Sequence, residues 1–210
     1  MNVLIINGSP RKKGTTETIT SAFREAVSER GAYVRIYHLN DMRDIRGCQS
    51  CTKCWKVGRC VVEDDFAPAL ADHHWADIIV WATPVYMDDM SGILKLFTDR
   101  MFSNVKPEFY IDHNPKHGRL APGKQFVLIQ TQAAPTEMYE ALFSKCAIIM
   151  RDCGVKNSRW LHCAGLWVDY MEGQAERLQA YAQQARELAG EVCGYEQGVI
   201  PKTEAIGIRR

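Results

Sequence analysis

Continuous apolar runs of strand length, each followed by a stretch of helical periodicity, constrain this chain more than any other feature of its sequence. The first run, Asn2 to Ile6, is β-branched and aliphatic after its opening residue and stops at Asn7-Gly8-Ser9-Pro10. A strand that is apolar at successive positions, not at every second one, is buried on both faces, as in a parallel sheet covered by helices. From Thr15 to Arg30 the period becomes helical, with Ile19, Phe23 and Val27 four apart, and Gly31 is placed to end the helix. The alternation then repeats. Tyr33 to Leu39, Asp77 to Ala82, Lys124 to Thr131 and Ser158 to Ala164 read as strands, with Thr83-Pro84 expected to stop the one before it. Four more helices are expected. Asp65 to Trp75 has Asp64 or Asp65 as its N-cap, and Ser91 to Phe102 is capped by Ser91, with Ile93, Leu94, Phe97 and Met101 on one face. Pro135 to Cys153 begins with a proline near its first turn, and Met171 to Val192 comes last. This order predicts a parallel sheet with right-handed crossovers and helices on both faces.

A chain of 210 residues fits one domain, expected over residues 1–195, with a tail at 196–210. Two segments, 41–64 and 103–123, are longer than ordinary connections, and loops beyond ~12–15 residues are uncommon unless functional or disordered. Lys and Arg number 26 against 25 Asp and Glu, so a net charge of +1 provides no case for a nucleic-acid or anionic-membrane partner. The apolar runs fall short of the ~20 residues that a bilayer crossing needs. The N-terminus lacks the basic region and small-residue cleavage site of an export signal, so a cytoplasmic location is expected.

Chemistry-bearing residues concentrate in two places. The turn Gly8 to Thr16 offers two glycines, three hydroxyls and three cations just before a helix begins, where free N–H groups and the positive helix end favour an anion. It is neither GxGxxG nor a Walker A loop. The second place is the loop carrying Cys48, Cys51, Cys54 and Cys60, four of the chain's eight cysteines. Clustered in one loop of a chain expected to be intracellular, they read as a metal or redox site and not a disulfide framework. Lys53, Lys56 and Arg59 would offset thiolate charge, and Gly58 would turn the chain back toward Cys60. Cys146, Cys153, Cys163 and Cys193 are scattered and expected as small buried hydrophobes. The histidines show no metal-ligand spacing, and His73, His74, His113 and His117 are expected at the surface.

The segment from the first strand through Gly8-Ser9-Pro10-Arg11-Lys12-Lys13-Gly14-Thr15-Thr16 resembles the phosphate loop of flavodoxin-like NAD(P)H-dependent FMN reductases and the related iron–sulfur flavoproteins. Asp77 to Tyr86, followed by Ser91 to Arg100, is similar to that family's second signature. The CxxCxxC run with Cys60 and Asp64-Asp65 behind it resembles the thiol motif of the iron–sulfur members. These pieces follow in the family's order over residues 1–102, with Thr15 standing where asparagine is common. The resemblance implies a flavodoxin-like three-layer α/β/α sandwich on a five-stranded parallel sheet of order 2-1-3-4-5, with the cysteine loop as an insertion. It implies FMN held at its phosphate by Ser9, Pro10, Arg11, Thr15 and Thr16. The ring would lie among Thr83, Pro84, Val85, Tyr86 and Met87 on one side and Thr131, Gln132 and Ala133 on the other.

The same resemblance implies electrons taken from NAD(P)H or a ferredoxin-like donor and a small-molecule acceptor, while the apolar helix around 91–102 and the two long loops predict a homodimer or homotetramer. The flavin carries the redox chemistry, so no catalytic side chain is named. Cys48, Cys51, Cys54 and Cys60 are the expected ligands of a 4Fe–4S cluster, with zinc or metal-free thiols as alternatives. Lys95, Asp99 and Arg100 are expected to be structural, and Trp55 either packs the cysteine loop on the body or reaches a flavin across a dimer. A flavodoxin-type carrier without its own substrate turnover, or a scaffold that has lost the flavin, are the competing functions. The near-neutral charge argues against the first, and intact Ser9, Thr16, Pro84 and Tyr86 argue against the second.

Overall fold

The computed structural model describes residues 1–167 and 173–194. In chain order the elements are β1 (Asn2–Asn7), α1 (Thr15–Glu29), β2 (Tyr33–His38), α2 (Lys53–Val57), α3 (Phe66–Trp75), β3 (Ile78–Tyr86) and β4 (Asp89–Met90), then α4 (Gly92–Thr98), α5 (Phe109–Asp112), β5 (Gln125–Thr131), α6 (Ala141–Asp152), β6 (Asn157–Cys163) and α7 (Gln174–Cys193). Five strands pair in parallel in the order β2-β1-β3-β5-β6, the expected flavodoxin-like order, and the two-residue β4 adds a sixth strand, antiparallel to β3.

The central strands alternate their side chains between two separate cores. Leu4, Ile6, Ile79, Trp81, Phe126 and Leu128 face a layer built from α3, α4 and α6. Val3, Ile5, Ile78, Val80, Val127 and Ile129 face α1 and α7, where Phe23, Val27, Leu188 and Val192 cover them. The period of two within unbroken apolar runs is what a sheet between two helical layers requires. Gly31 ends α1 at φ +79°, its N–H donating to Ser28 O at 2.9 Å.

Several expectations are corrected. Thr83-Pro84 does not stop β3, which continues to Tyr86 and turns back into β4. The Gly8 N–H donates to Ala82 O at 2.9 Å, so position 82 directs its backbone groups toward β1. Pro84, two residues on, faces the same way beyond the end of β1, and its missing N–H breaks no ladder bond. The helix expected from Pro135 begins only at Ala141, because the Gln132 side-chain amide donates to Pro135 O (2.7 Å) and Met138 O (3.0 Å) and holds 133–140 as a loop. The helix expected to Phe102 is α-helical only to Thr98, and 99–104 tightens into a 3-10 helix. Ser91 sits at the N-cap position of α4, but its hydroxyl donates to Gly8 O at 2.7 Å and not into its own helix. Asp64 supplies the cap bond of α3, accepting from Phe66 N at 3.1 Å. The expected start of the last helix, Met171, and the 196–210 tail lie outside the described residues. Among the described residues no helix is long and apolar enough to cross a membrane.

His73 is also a correction: it is fully buried. Its Nδ1 donates to Ala69 O (2.8 Å), its Nε2 accepts from the Trp81 indole (3.4 Å), and its ring packs against Trp81 and Phe97. Burial opposes the charged form and lowers its pKa from 6.5 to about 4. The folded state therefore binds fewer protons than the unfolded chain between those values, so this histidine's contribution is complete above pH 6.5 and is lost as pH falls toward 4. The expected loss is about 3 kcal/mol, from roughly 1.4 kcal/mol per pKa unit. Urea unfolding of wild type and His73→Leu at pH 7 and pH 4.5 checks it: the wild type should lose more stability than the variant by that order, and parallel losses would show that His73 does not carry the effect.

Candidate functional site

The carboxyl ends of β1, β3 and β5 bring three of the singled-out segments together. Asn7 ends β1 with an Asx-turn, its Oδ1 accepting from Ser9 N (2.8 Å) and its Nδ2 donating to Glu17 Oε2 (2.6 Å). Ser9 Oγ then accepts from Arg11 N at 3.3 Å. A Cβ on Gly8 would lie 2.7 Å from Ser91 Oγ and 2.8 Å from Leu94 Cβ, so only glycine lets this turn lie against the start of α4. Gly14 at the N-cap of α1 has no side chain to cap the helix, and Thr18 N is the first to bond back, to Gly14 O at 3.0 Å. The N–H groups of Thr15, Thr16 and Glu17 therefore have no intrahelical acceptor. Arg11 folds over the same point, where a Gly14 Cβ would stand 3.0 Å from its Nε. Uncapped donors, the Ser9 hydroxyl and an arginine meet at the helix start that Thr15 opens, a set suited to a phosphomonoester.

The second segment is the β3–β4 hairpin. Met87 and Asp88 both have positive φ, +47° and +66°, which makes a two-residue turn between Tyr86 and Asp89. Met87 is 97% exposed at its tip and Tyr86 is 44% exposed beside it. Thr83 is buried and already engaged: its hydroxyl donates to Pro84 O (2.8 Å) and accepts from Ser91 N (3.0 Å), so it shapes the hairpin. The third segment follows β5. Thr131 Oγ1 meets Thr16 Oγ1 at 2.7 Å, both side chains buried, and Pro84 pairs with Thr131 across the sheet. The Thr16 hydroxyl is thus turned onto β5. Lys145 Nζ binds Asp89 Oδ2 at 2.6 Å. Burial alone would raise the Asp89 pKa, but this bond, the Met90 N–H and nearby lysine charge bring it below the ordinary value. A hydrogen bond to Asp88 raises the Tyr139 pKa.

Sequence reasoning passed over Asn7, Gln130 and His162, which hold these turns in place. Gln130 Nε2 and His162 Nε2 both lie 2.7 Å from Gln132 Oε1. Because the Gln132 amide nitrogen is spent on carbonyls, His162 must present Nε2–H to it, and burial lowers the His162 pKa in keeping with the neutral form. Asn-Gly at a strand end was a legible signal for Asn7; nothing local marks a glutamine in a strand as a loop staple.

The cysteine loop packs against residues 100–103, which follow α4. Cys48, Cys51, Cys54 and Cys60 line one cavity together with Arg100 and Phe102. Cys54 is buried while Cys48 and Cys51 are exposed, and burial, followed by the neighbouring Cys60, Cys51 and Cys48, raises the Cys54 pKa. Among the described residues no three His, Cys, Asp or Glu side chains converge closely enough to hold a metal ion. Gly58 at φ +80° makes the expected turn, its N–H donating to Cys54 O at 2.8 Å. Ser50 and Thr52, at φ +51° and +56°, flank Cys51 in the left-handed region that non-glycine residues avoid. Trp55 stacks on Phe102 and packs against Tyr110, each at 5.9 Å, so within this chain it fastens the loop to the body.

The Arg100–Asp64 pair, both side chains fully buried, closes the loop at its base. Arg100 Nη1 reaches both Asp64 oxygens (2.6 and 2.5 Å) and Arg46 O (3.3 Å), Nη2 donates to Val62 O (2.8 Å), and Asp64 Oδ2 accepts from Arg46 N (2.9 Å). Lys95 pairs with Asp99 one turn apart on the surface. Both are ion pairs within the chain, the first buried and the second on the surface.

The model of one family, NADPH-dependent FMN reductase, matches residues 1–150. The chain belongs to that family. It is 38% identical over 100 residues to an iron–sulfur flavoprotein of Archaeoglobus fulgidus, covering 48% of each chain. It is 29% identical over 110 residues to a putative NAD(P)H-dependent FMN-containing oxidoreductase of Bacillus subtilis, covering 52% of this chain and 57% of that one. The chain thus spans about half the length of the curated relatives it matches. An FMN-dependent NADH-azoreductase from Bacillus anthracis, solved with FMN, superposes with a TM-score of 0.71 at 15% identity over 92% of this chain and all of that one. An NAD(P)H:quinone oxidoreductase from Methanothermobacter marburgensis superposes at 0.67 and 17% identity, over 94% and 99%. At those identities the superpositions establish the fold.

Asp64→Ala should cost about 3–5 kcal/mol, the order expected when a buried ion pair loses one partner and strands the other. Urea unfolding of the purified variant measures it. A loss below 1 kcal/mol would mean that the pair does not hold the loop.

Proposed function

We propose that the protein is an FMN-dependent oxidoreductase that takes electrons from NAD(P)H, or from a ferredoxin-like donor, and passes them to a small acceptor. The observation that carries this reading is the meeting of the turns after β1, β3 and β5 around an uncapped helix start, at the sheet edge where open α/β folds bind ligands. Family membership supports it. The residues present fit the cofactor. Gly8 lets the turn lie against α4 and Gly14 leaves room for Arg11 at the helix start, and Ser9, Pro10, Arg11, Thr15 and Thr16 surround that point. Val85, Tyr86 and Met87 offer one wall for the ring, shaped from behind by buried Thr83 and Pro84, and Ala133 offers the other, held in place by Thr131 and Gln132.

When bound, FMN supplies the electron-accepting ring. The task of the chain is to hold and orient. N–H groups at the start of α1 and the Ser9 and Thr15 hydroxyls anchor the phosphate, Arg11 offsets its charge, and Tyr86 offers an aromatic face beside the ring. No side chain is required to move a proton. Azo compounds and quinones are the acceptor classes suggested by the names of the structural neighbours.

The reading extends to a 4Fe–4S cluster on Cys48, Cys51, Cys54 and Cys60. Its support is the single cavity that all four thiols line, the cations around it, and the similarity to an iron–sulfur flavoprotein. A single zinc ion would need its sulfurs about 3.8 Å apart, from a Zn–S bond of about 2.3 Å. A cube spreads its thiolates over separate irons and suits a wider set. A homodimer or homotetramer belongs to the same reading, in keeping with the exposed Met87 and Ile111.

The test is anaerobic purification, assay of FMN and iron, and a visible spectrum before and after NADPH. Bound flavin that bleaches is expected; bound flavin that stays oxidised would favour a carrier, and protein that takes up no added FMN would end the reading. Ser9→Ala with Thr15→Val should weaken FMN at least about a hundredfold, because two hydrogen bonds to a charged group are worth about 3 kcal/mol or more together. Unchanged FMN affinity by fluorescence titration would move the phosphate elsewhere. Cys51→Ser with Cys54→Ser should abolish bound iron and leave FMN in place, and iron retained at the wild-type level would exclude this loop as its ligand.

A further inference from the structure

Arg100 is engaged on every side but one. Its Nη atoms serve Asp64, Arg46 O and Val62 O, while Nε is buried without a hydrogen-bond partner. Cys60 and the guanidinium line the same cavity. A neutral thiol is a poor acceptor for an N–H, whereas a metal-bound thiolate is a good one. A fully buried donor left over beside a proposed ligand is an arrangement that metal loading would complete.

We propose that Arg100 is a positioning residue for the metal site, its Nε–H donating to the Cys60 thiolate, orienting that sulfur into the four-thiol cavity and raising the reduction potential of the bound cluster. The inference rests on the proposed role of Cys60 as a cluster ligand. The physical reason is that a hydrogen bond to a ligating sulfur stabilises the more negative, one-electron-reduced cluster over the oxidised one. Asp64 keeps the guanidinium in place through Nη1 and leaves Nε unengaged. Lysine at position 100 would keep the charge and a contact with Asp64 but would lack the Nε–H, so Arg100→Lys separates tuning from simple charge pairing.

The experiment reconstitutes wild type and Arg100→Lys anaerobically with iron and sulfide, confirms iron content and the thermal melt, and titrates each with dithionite. Cluster reduction is followed by electron paramagnetic resonance, and the FMN potential serves as an internal reference. The expected result is a cluster potential shifted to more negative values in Arg100→Lys with the FMN potential unmoved. Equal cluster potentials at equal iron content would overturn the inference while leaving the cluster itself standing. Wild-type protein that binds no iron would overturn both. Should Arg100→Lys fail to fold, wild type labelled with 15N-arginine decides the matter: its reduced cluster should show a 15N coupling in pulsed electron paramagnetic resonance, and no such coupling would refute the hydrogen bond.

Discussion

At Gly8 the chain leaves β1 and passes so close to α4 that no side chain fits between them. Its N–H is fixed by Ala82 O and its C=O by the Ser91 hydroxyl, so one residue joins the first turn, the end of β3 and the start of α4. Thr16 and Thr131 add the end of β5. Everything proposed about the flavin depends on this convergence. Three turns separated widely in sequence become one surface because the parallel order places β1, β3 and β5 side by side with their carboxyl ends together.

The cysteine loop obeys a different constraint. It has little regular structure of its own and carries two left-handed non-glycine residues beside Cys51, each costing on the order of 1 kcal/mol. Such a segment persists only where its surroundings over-determine it. Asp64 does so from the base, accepting from Arg46 N, Phe66 N and Arg100 at once, and Trp55 does so from the side through Phe102. A buried ion pair of this kind adds little net stability, because desolvation offsets its attraction, but it is costly to break. Its consequence here is geometric: the ends of the loop are held together, and the four thiols face one cavity.

Much of this was legible before any coordinates. The unbroken apolar runs of β1, β3 and β5, the four-residue spacing of Ile19, Phe23 and Val27, and the glycines and hydroxyls of the first turn each state a local rule that the fold obeys. The misreadings share a cause. Thr83-Pro84 reads as a strand stop because proline lacks the N–H that a ladder bond needs, whereas β1 has already ended there. Pro135 looked like a helix start because the Gln132 amide, which captures the carbonyls of the following loop, could not be seen in a local window. His73 looked like a surface residue until α3 was laid on the sheet, with Trp81 donating to its ring nitrogen.

The sequence by itself determined the alternation of strand and helix, the anion-binding character of the first turn and the grouping of four thiols in one loop, because each depends on neighbours within a few residues. The tertiary structure alone decided which turns meet, that the Thr16 and Thr83 hydroxyls serve the scaffold, and that Arg100 lies buried against Asp64 with one donor to spare. Those outcomes are set by contacts between distant parts of the chain, where the cost of burying a polar group must be balanced by a partner that no local pattern names.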